Sequence, residues 1–215
     1  MPVYDFHVPL ILDYLATFSW AVSGAAVAIH RRFDLMGVTL IAVLASTGGG
    51  LLRDGIFLNR TPAMLVDSNY LLLILLAVIV TVLFRSRILG ESVIDTPVSI
   101  MDAVGTPTFA IVGMQYSLQA GVPLPGVVLI GLINGFGGGI LRDVLVNEVP
   151  AVLRPGQWSA SLAVAACLLF LALLLLLRTT AAVAAWITVA FYVVARLLAI
   201  RYDLRSRPLL PKGHD

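Results

Sequence analysis

Charged, reactive and metal-binding side chains are scarce in this sequence. Its 215 residues contain one cysteine and three histidines, and only 12% are Asp, Glu, Lys or Arg. Cys167 cannot form an intrachain disulfide, and the histidines show no spacing typical of a metal site, so we expect neither a metal nor a cofactor. No Ser/His/Asp or Cys/His set and no basic cluster beside aromatic residues are apparent. We therefore expect neither an enzyme nor a nucleic-acid-binding protein.

Apolar residues, by contrast, make up 60% of the chain. This composition predicts an integral membrane protein, because a soluble domain carries more charge. Seven stretches approach the ~20 apolar residues that cross a bilayer as a helix. They lie at about 9–29, 36–56, 69–84, 99–118, 125–146, 158–177 and 181–200. No basic segment precedes the first stretch, so we expect it to remain as a helix rather than to be a cleaved signal peptide. The predicted fold class is all-α, with seven transmembrane helices.

One sequence pattern, Gly-Gly-Gly-x-x-Arg-Asp, occurs twice, at 48–54 and at 137–143. The same offset of 89 residues that separates Gly48 from Gly137 also aligns Asp13 with Asp102 without a gap. It further aligns Gly24 with Gly113 and Gly37 with Gly126. Such self-similarity indicates an internal duplication. We predict one membrane domain over 1–215, with repeats at about 9–87 and 98–178, an extra helix at about 181–201 and a flexible tail at 204–215.

The loops predict the orientation, because short cytoplasmic loops carry an excess of Lys and Arg. Arginines follow the first, third, fifth and seventh spans, at Arg31, Arg32, Arg85, Arg87, Arg154, Arg201, Arg205 and Arg207. The N-terminus is therefore predicted outside and the C-terminus in the cytoplasm. Since each repeat has three spans, the second must enter the membrane from the opposite side. The prediction is an inverted repeat, which commonly surrounds a solute or ion pathway.

The glycine triplets fall inside the second and fifth spans and predict a break in each helix. They comprise Gly48, Gly49, Gly50, Gly137, Gly138 and Gly139. Each glycine in a helix interior costs about 1 kcal/mol relative to alanine. An interrupted membrane helix is tolerated only inside protein or beside a water-filled cavity. The alternative is close helix packing, in which glycine lets two backbones approach.

Charged and hydroxyl side chains flank the triplets at membrane depth. Arg53, Asp54, Arg142 and Asp143 follow them, and Ser46 and Thr47 precede the first. Because adjacent residues on a helix do not face each other, we expect each arginine to pair with another element. The inverted symmetry makes Asp13, Asp102, Asp54 and Asp143 the candidate partners. Two alternatives stay open. The arginines could mark helix ends and snorkel to the headgroups, and Asp13 and Asp102 could interact with helix dipoles.

These residues suit two functions. A passive channel for monovalent cations would use the backbone and hydroxyl oxygens of broken helices to replace part of an ion's hydration shell. A secondary transporter would instead offer its Arg and Asp side chains to a small solute such as an amino acid. A scaffold without a pathway is a third, weaker alternative.

The duplicated motif on the second and fifth of seven spans resembles that of the prokaryotic trimeric intracellular cation (TRIC) channels. The resemblance implies a homotrimer in a prokaryotic plasma membrane, in contact with membrane lipid. Each protomer would hold an hourglass pore that passes potassium and, less selectively, sodium. The six triplet glycines would be hinges, and Arg53, Asp54, Arg142 and Asp143 would line or brace the pore.

The chain departs from the animal members of that family, which carry a basic residue just after a glycine triplet. Here Leu51-Leu52 and Ile140-Leu141 occupy those positions. Gating and phosphoinositide binding like those of the animal proteins are therefore not expected. Small bacterial membrane proteins with the same motif have also been labelled as glycine transporters, so the carrier alternative stays open.

Overall fold

The computed structural model describes residues 8–84, 95–154, 158–202 and 204, and this part of the chain is helical throughout, without a β-strand. Seven helices longer than four turns account for most of it. They are α1 (Leu10–His30), α2 (Leu35–Leu52), α3 (Asn69–Leu83), α4 (Asp95–Gln119), α5 (Leu124–Leu145), α6 (Ser159–Leu175) and α7 (Ala181–Arg201). A π-helical turn, Arg53–Phe57, extends α2, and short helical turns occupy Ala63–Val66 and Ala151–Leu153.

Five of these helices are long and apolar enough to cross a membrane: α1, α2 with its extension, α4, α5 and α7. The prediction of an all-α integral membrane protein is therefore confirmed. Helices α3 and α6 are apolar but have 15 and 17 residues. At ~1.5 Å per residue they reach about 22 Å and 26 Å, somewhat less than the ~30 Å hydrocarbon core. The count of seven spans stays a prediction.

Helices α1, α2, α4 and α5 form the centre of the molecule, where α4–α5, α1–α2, α1–α4 and α2–α5 are the most extensive contacts. Helix α3 packs on α1 and α2, whereas α6 and α7 pack on each other and on α4. Helices α1 and α4 run antiparallel. The Val8 N–H at the start of α1 donates to the Gln115 side chain near the end of α4 (3.1 Å). Farther along α1, Ser23 donates to Asp102 near the start of α4 (2.6 Å).

Local sequence signals set several helix ends. Asp34 caps α2 by accepting a hydrogen bond from the Gly37 N–H (2.8 Å), as expected for an Asp at this position. Thr180 caps α7 in the same way, through the Val183 N–H. The connector before it turns through Arg178, whose φ is 50°. These short connectors keep consecutive helices antiparallel and adjacent.

The α-helical pattern continues through both glycine triplets, contrary to the predicted breaks. The glycines instead lie where α2 crosses α5. A methyl group on Gly138 would lie 1.9 Å from the Ala45 carbonyl oxygen, and one on Gly49 would lie 2.2 Å from that of Asn134. The packing alternative therefore describes these positions, because glycine permits contact between backbones while the helical hydrogen bonds persist. In α2, the regular α-helix ends at Leu52, and the π-helical turn begins at Arg53.

Ion pairs and ring contacts show that the connectors lie at two ends of the helix bundle. Glu148, after α5, pairs with Arg154 (2.5 Å) and with Arg31, which follows α1. On the other side, the Arg60 guanidinium, after α2, lies 4.1 Å from the ring centroid of Tyr116 near the end of α4. The cytoplasmic identity of the first side stays a prediction. The predicted tail, apart from Leu204, lies outside the described residues, as does most of the predicted boundary between the repeats at about 87–98.

Candidate functional site

Two small cavities lie inside the helix bundle, and each contains a glycine, an arginine and carboxylates. Cavity 1 has a volume of about 30 Å³ and is lined by Asp13, Thr17, Gly50, Arg53, Asp54 and Phe109, among others. Cavity 2 has a volume of about 40 Å³ and is lined by Asp102, Thr106, Gly139, Arg142, Asp143 and Trp20, among others. Each is large enough for water.

The two cavities use equivalent positions. The offset of 89 residues relates five lining pairs that are identical in residue type: Asp13 and Asp102, Thr17 and Thr106, Gly50 and Gly139, Arg53 and Arg142, Asp54 and Asp143. The aromatic residues exchange places: Trp20 of the first half lines cavity 2, and its counterpart Phe109 lines cavity 1. Each cavity is thus completed by an aromatic side chain from the other half of the chain.

Arg142 is the centre of a buried charge cluster in cavity 2. Its Nε donates to Asp143 Oδ1 (2.8 Å), and its Nη1 donates to Asp102 Oδ1 (2.8 Å) and to Ser23. Asp143 also accepts the Ala151 N–H (2.9 Å), which holds the connector after α5 over the cavity. Arg142 is only 3% exposed. Removing one partner of such a buried group leaves an uncompensated charge, so the cluster acts as a unit.

The charges in cavity 1 are arranged differently. Arg53 donates two 2.7 Å hydrogen bonds to the two carboxylate oxygens of Asp54, and its Cζ lies 4.4 Å from the Tyr116 ring centroid. Asp13 instead accepts a hydrogen bond from the Tyr70 hydroxyl (2.7 Å). The duplicated positions therefore carry the same residue types but different pairings.

The prediction that neighbouring Arg and Asp residues would not pair is wrong for Arg53–Asp54 and for Arg142–Asp143. The arginine side chain is long enough to turn back to the next residue, and a π-helical turn begins at Arg53. Of the four candidate partners, Asp102 pairs with Arg142 from another element, as expected, whereas Asp13 is held by Tyr70. The snorkelling alternative does not describe Arg53 or Arg142, because both are buried and bonded within the protein.

Hydroxyl and amide groups lie beside the crossing of α2 and α5. Ser46 and Thr47 both line cavity 1, and they donate their hydroxyl hydrogens to the carbonyls of Ala42 (2.8 Å) and Val43 (2.7 Å). Their oxygen lone pairs remain available to a cation. Asn134 donates to the Phe109 carbonyl (2.5 Å), and its buried Oδ1 has no hydrogen-bond partner within the described ranges.

A third and larger space, here named the entrance cavity, lies between the start of α1 and the end of α4. Its volume is about 260 Å³, and its lining includes Asp13, Gln115, Tyr116 and Gln119. Asp13 also lines cavity 1, so the two spaces are neighbours that share this residue.

Sequence reasoning missed the aromatic residues and Asn134. The signal for Trp20 and Phe109 was available, because the offset that aligns Asp13 with Asp102 also aligns this aromatic pair. No comparable signal identifies Asn134, whose counterpart Ala45 is apolar. Tyr70 has the counterpart Ser159, and that pair also lines the two cavities.

Solved structures share this fold. A prokaryotic TRIC channel crystallised in 0.5 M KCl is 30% identical to this chain, with a TM-score of 0.81 over 90% of this chain and 96% of that one. This chain belongs to the TRIC channel family. The TRIC trimeric intracellular cation channel orthologue from Rhodobacter sphaeroides is 28% identical, with a TM-score of 0.81 over 91% of this chain and 98% of that one. The resemblance noted from the duplicated motif is confirmed.

Sequence relatives support the assignment of this chain to the TRIC family. A family model described as Glycine transporter matches it twice, at residues 10–86 and 99–175, and the two matches are again 89 residues apart. A relative from Deinococcus radiodurans, named UPF0126 membrane protein, is 35% identical over 72% of this chain and 71% of that protein. The Escherichia coli inner membrane protein YadS is 33% identical over 66% of this chain and 68% of that protein.

Proposed function

We propose that this protein is a monovalent cation channel that passes potassium with modest selectivity over sodium, and that it is not an enzyme. One observation carries the proposal. Two equivalent cavities, each with carboxylates, an arginine and a glycine, lie at opposite ends of the bundle, and the crossing of α2 and α5 separates them. A path through both would be narrowest near the membrane centre, as in an hourglass.

The paired arginines would permit cation passage. An isolated guanidinium in a low-dielectric pathway repels a cation strongly, but Arg53 is neutralised by Asp54, and Arg142 by Asp102 and Asp143. The remaining ligands are hydroxyl and carbonyl oxygens, such as those of Ser46 and Thr47, which replace part of a hydration shell without strong discrimination by size. Modest selectivity follows from this arrangement.

Conduction would require movement at the glycine triplets. With about 30 and 40 Å³ on either side and direct backbone contact between Gly49 and Asn134, the crossing leaves no continuous path for an ion. We propose that the six triplet glycines act as hinges where α2 and α5 separate. Gly50 fits this role best, because it has open space around its Cα and is not held by a neighbouring backbone.

The assembly is proposed to be a homotrimer with one pore in each protomer, because the similar proteins of known structure are named trimeric channels. We propose a prokaryotic plasma-membrane location, two inverted repeats of three spans and a seventh helix, with the N-terminus outside and the C-terminus in the cytoplasm. The arginine distribution and the twofold match of the family model support this orientation and duplication.

A flux assay tests the proposal. Purified protein in liposomes loaded with KCl should release potassium when a proton ionophore balances the charge, and sodium more slowly. A large organic cation should not pass. Liposomes without protein provide the control. Potassium release no faster than in those control liposomes would contradict the channel.

A small-solute carrier is the second candidate, and the family model described as Glycine transporter favours it. Arg142 and Arg196 in cavity 2 would bind a carboxylate, and Asp102 and Asp143 an ammonium group. Uptake of labelled glycine into the same liposomes distinguishes the candidates. Saturable glycine uptake without potassium flux would favour the carrier, in which the arginines are substrate ligands.

A further inference from the structure

Asp13 and Asp102 occupy duplicated positions but have different surroundings. Asp102 receives hydrogen bonds from Arg142 and from Ser23, so its charge is compensated inside the protein. Asp13 is more deeply buried than Asp102, at 5% exposed, and the described part of the chain offers it no Lys or Arg nitrogen within ion-pairing distance. Among the described residues, the Asp13 carboxylate accepts one side-chain hydrogen bond, which the Tyr70 hydroxyl donates to Oδ2.

The arginines nearest to Asp13 are committed elsewhere. Arg53 donates to both carboxylate oxygens of Asp54. The Arg60 Nε lies 3.6 Å from Asp54 Oδ1, and its guanidinium lies over the Tyr116 ring. Asp54 and Tyr116 thus contact both cations, and among the described residues Asp13 forms no ion pair. Burying such a charge is costly unless water or a cation solvates it.

The space beside Asp13 fits that requirement. Asp13 is the one charged side chain among the described residues that line the entrance cavity, whose other polar groups come from Gln115, Tyr116 and Gln119. About 260 Å³ is room for several waters, so a cation can enter this cavity with part of its hydration shell. Cavity 1, on the other side of the carboxylate, has about 30 Å³.

We propose that Asp13 is a cation-binding residue at the entrance, which concentrates potassium and begins its dehydration before the narrower cavity 1. The equivalent Asp102 has a positioning role instead, because it holds Arg142. The pathway is therefore functionally asymmetric despite its duplicated sequence. This inference rests on the proposed channel function and assigns ion capture to one end of the pathway.

The test measures single-channel conductance as a function of KCl concentration for Asp13→Asn. Neutralising a charge at a pore mouth lowers the local cation concentration, and salt screens this effect. We expect conductance to fall about twofold to fivefold at low KCl and to converge on the parent value at high KCl. Asp13→Glu should restore the low-salt conductance. Asp67→Asn, which removes a carboxylate at the same end but lines neither cavity, is the matched control and should have a much smaller effect.

Sidedness gives a second readout. The Asp13→Asn loss should appear when dilute KCl bathes the end of the bundle where α1 begins, and should be weak when the other end is dilute. Equal conductance of Asp13→Asn and the parent at all KCl concentrations would overturn the inference while leaving the channel intact, as would a loss independent of side. Absence of current from the parent protein would instead overturn the channel itself.

Discussion

Replacing Gly49 with alanine should force α2 and α5 apart at their crossing. The added methyl carbon would lie 2.2 Å from the Asn134 carbonyl oxygen, whereas ordinary contacts begin near 3.4 Å. The two backbones must therefore separate by about 1 Å, and Gly138→Ala requires slightly more, because its methyl would lie 1.9 Å from the Ala45 oxygen. Overpacking of this kind costs about 1–3 kcal/mol, and the rigid backbone partner places this case at the upper end.

Gly50→Ala is the matched control in the same triplet. Its methyl would have one neighbour, the Arg53 side chain at 3.8 Å, which is an ordinary contact. Alanine is the better helix former by about 1 kcal/mol, so this variant should be as stable as the parent or more so. The thermal stabilities of both variants and the parent are compared in detergent, with loss of the monodisperse peak as the readout of unfolding.

The expected order of stability is Gly50→Ala at or above the parent, followed by Gly49→Ala well below it. Equal stability of Gly49→Ala and the parent would refute the close approach of the two backbones. A stable Gly50→Ala protein that conducts as well as the parent would count against Gly50 as the proposed hinge.

Three further predictions concern individual side chains. Arg142→Gln should destabilise the protein by about 3–5 kcal/mol, because it leaves the buried Asp143 and the partly buried Asp102 without their ion-pair partner, and the double variant with Asp102→Asn should recover part of that loss in the same unfolding assay. Trp20→Phe should lose no hydrogen bond among the described residues but should leave a cavity beside Gly105 and Gly139, so stability equal to that of the parent would argue against this packing. The Tyr14 hydroxyl donates to Asp67 (2.5 Å) and lowers the pKa of that carboxyl below its usual range. The stabilisation by this hydrogen bond is therefore fully present above the ordinary pKa near 3.8 and is lost as pH falls through the lowered value. The difference in stability between the parent and Tyr14→Phe should be constant above about pH 4 and should shrink below it. A difference that does not change with pH would count against the hydrogen bond.

Hydropathy and self-similarity predicted the helical framework well. The seventh predicted span, 181–200, agrees with α7 to within one residue, and the third, 69–84, agrees equally well with α3. These helices are recognisable because an apolar run of the right length has few alternatives in a membrane. The offset of 89 residues also identified the duplicated arginines and aspartates that line the two cavities.

The contacts inside the site could not be predicted in the same way. Whether Gly49 interrupts a helix or admits a neighbour depends on where α5 lies, which is a tertiary property. The pairing of Arg53 with Asp54 depends on a side-chain conformation and on the π-helical turn, neither of which the residue spacing encodes. Identical residue types at Asp13 and Asp102 likewise gave no hint that their partners differ.

The most direct test of the central claim is the current through purified protein in a planar bilayer with asymmetric KCl. The account predicts discrete unitary currents that reverse near the potassium equilibrium potential. Replacing potassium by sodium should shift the reversal potential modestly, and a large organic cation should abolish the current carried from its side. A bilayer without unitary currents, or currents that reverse near the chloride potential, would contradict a cation channel.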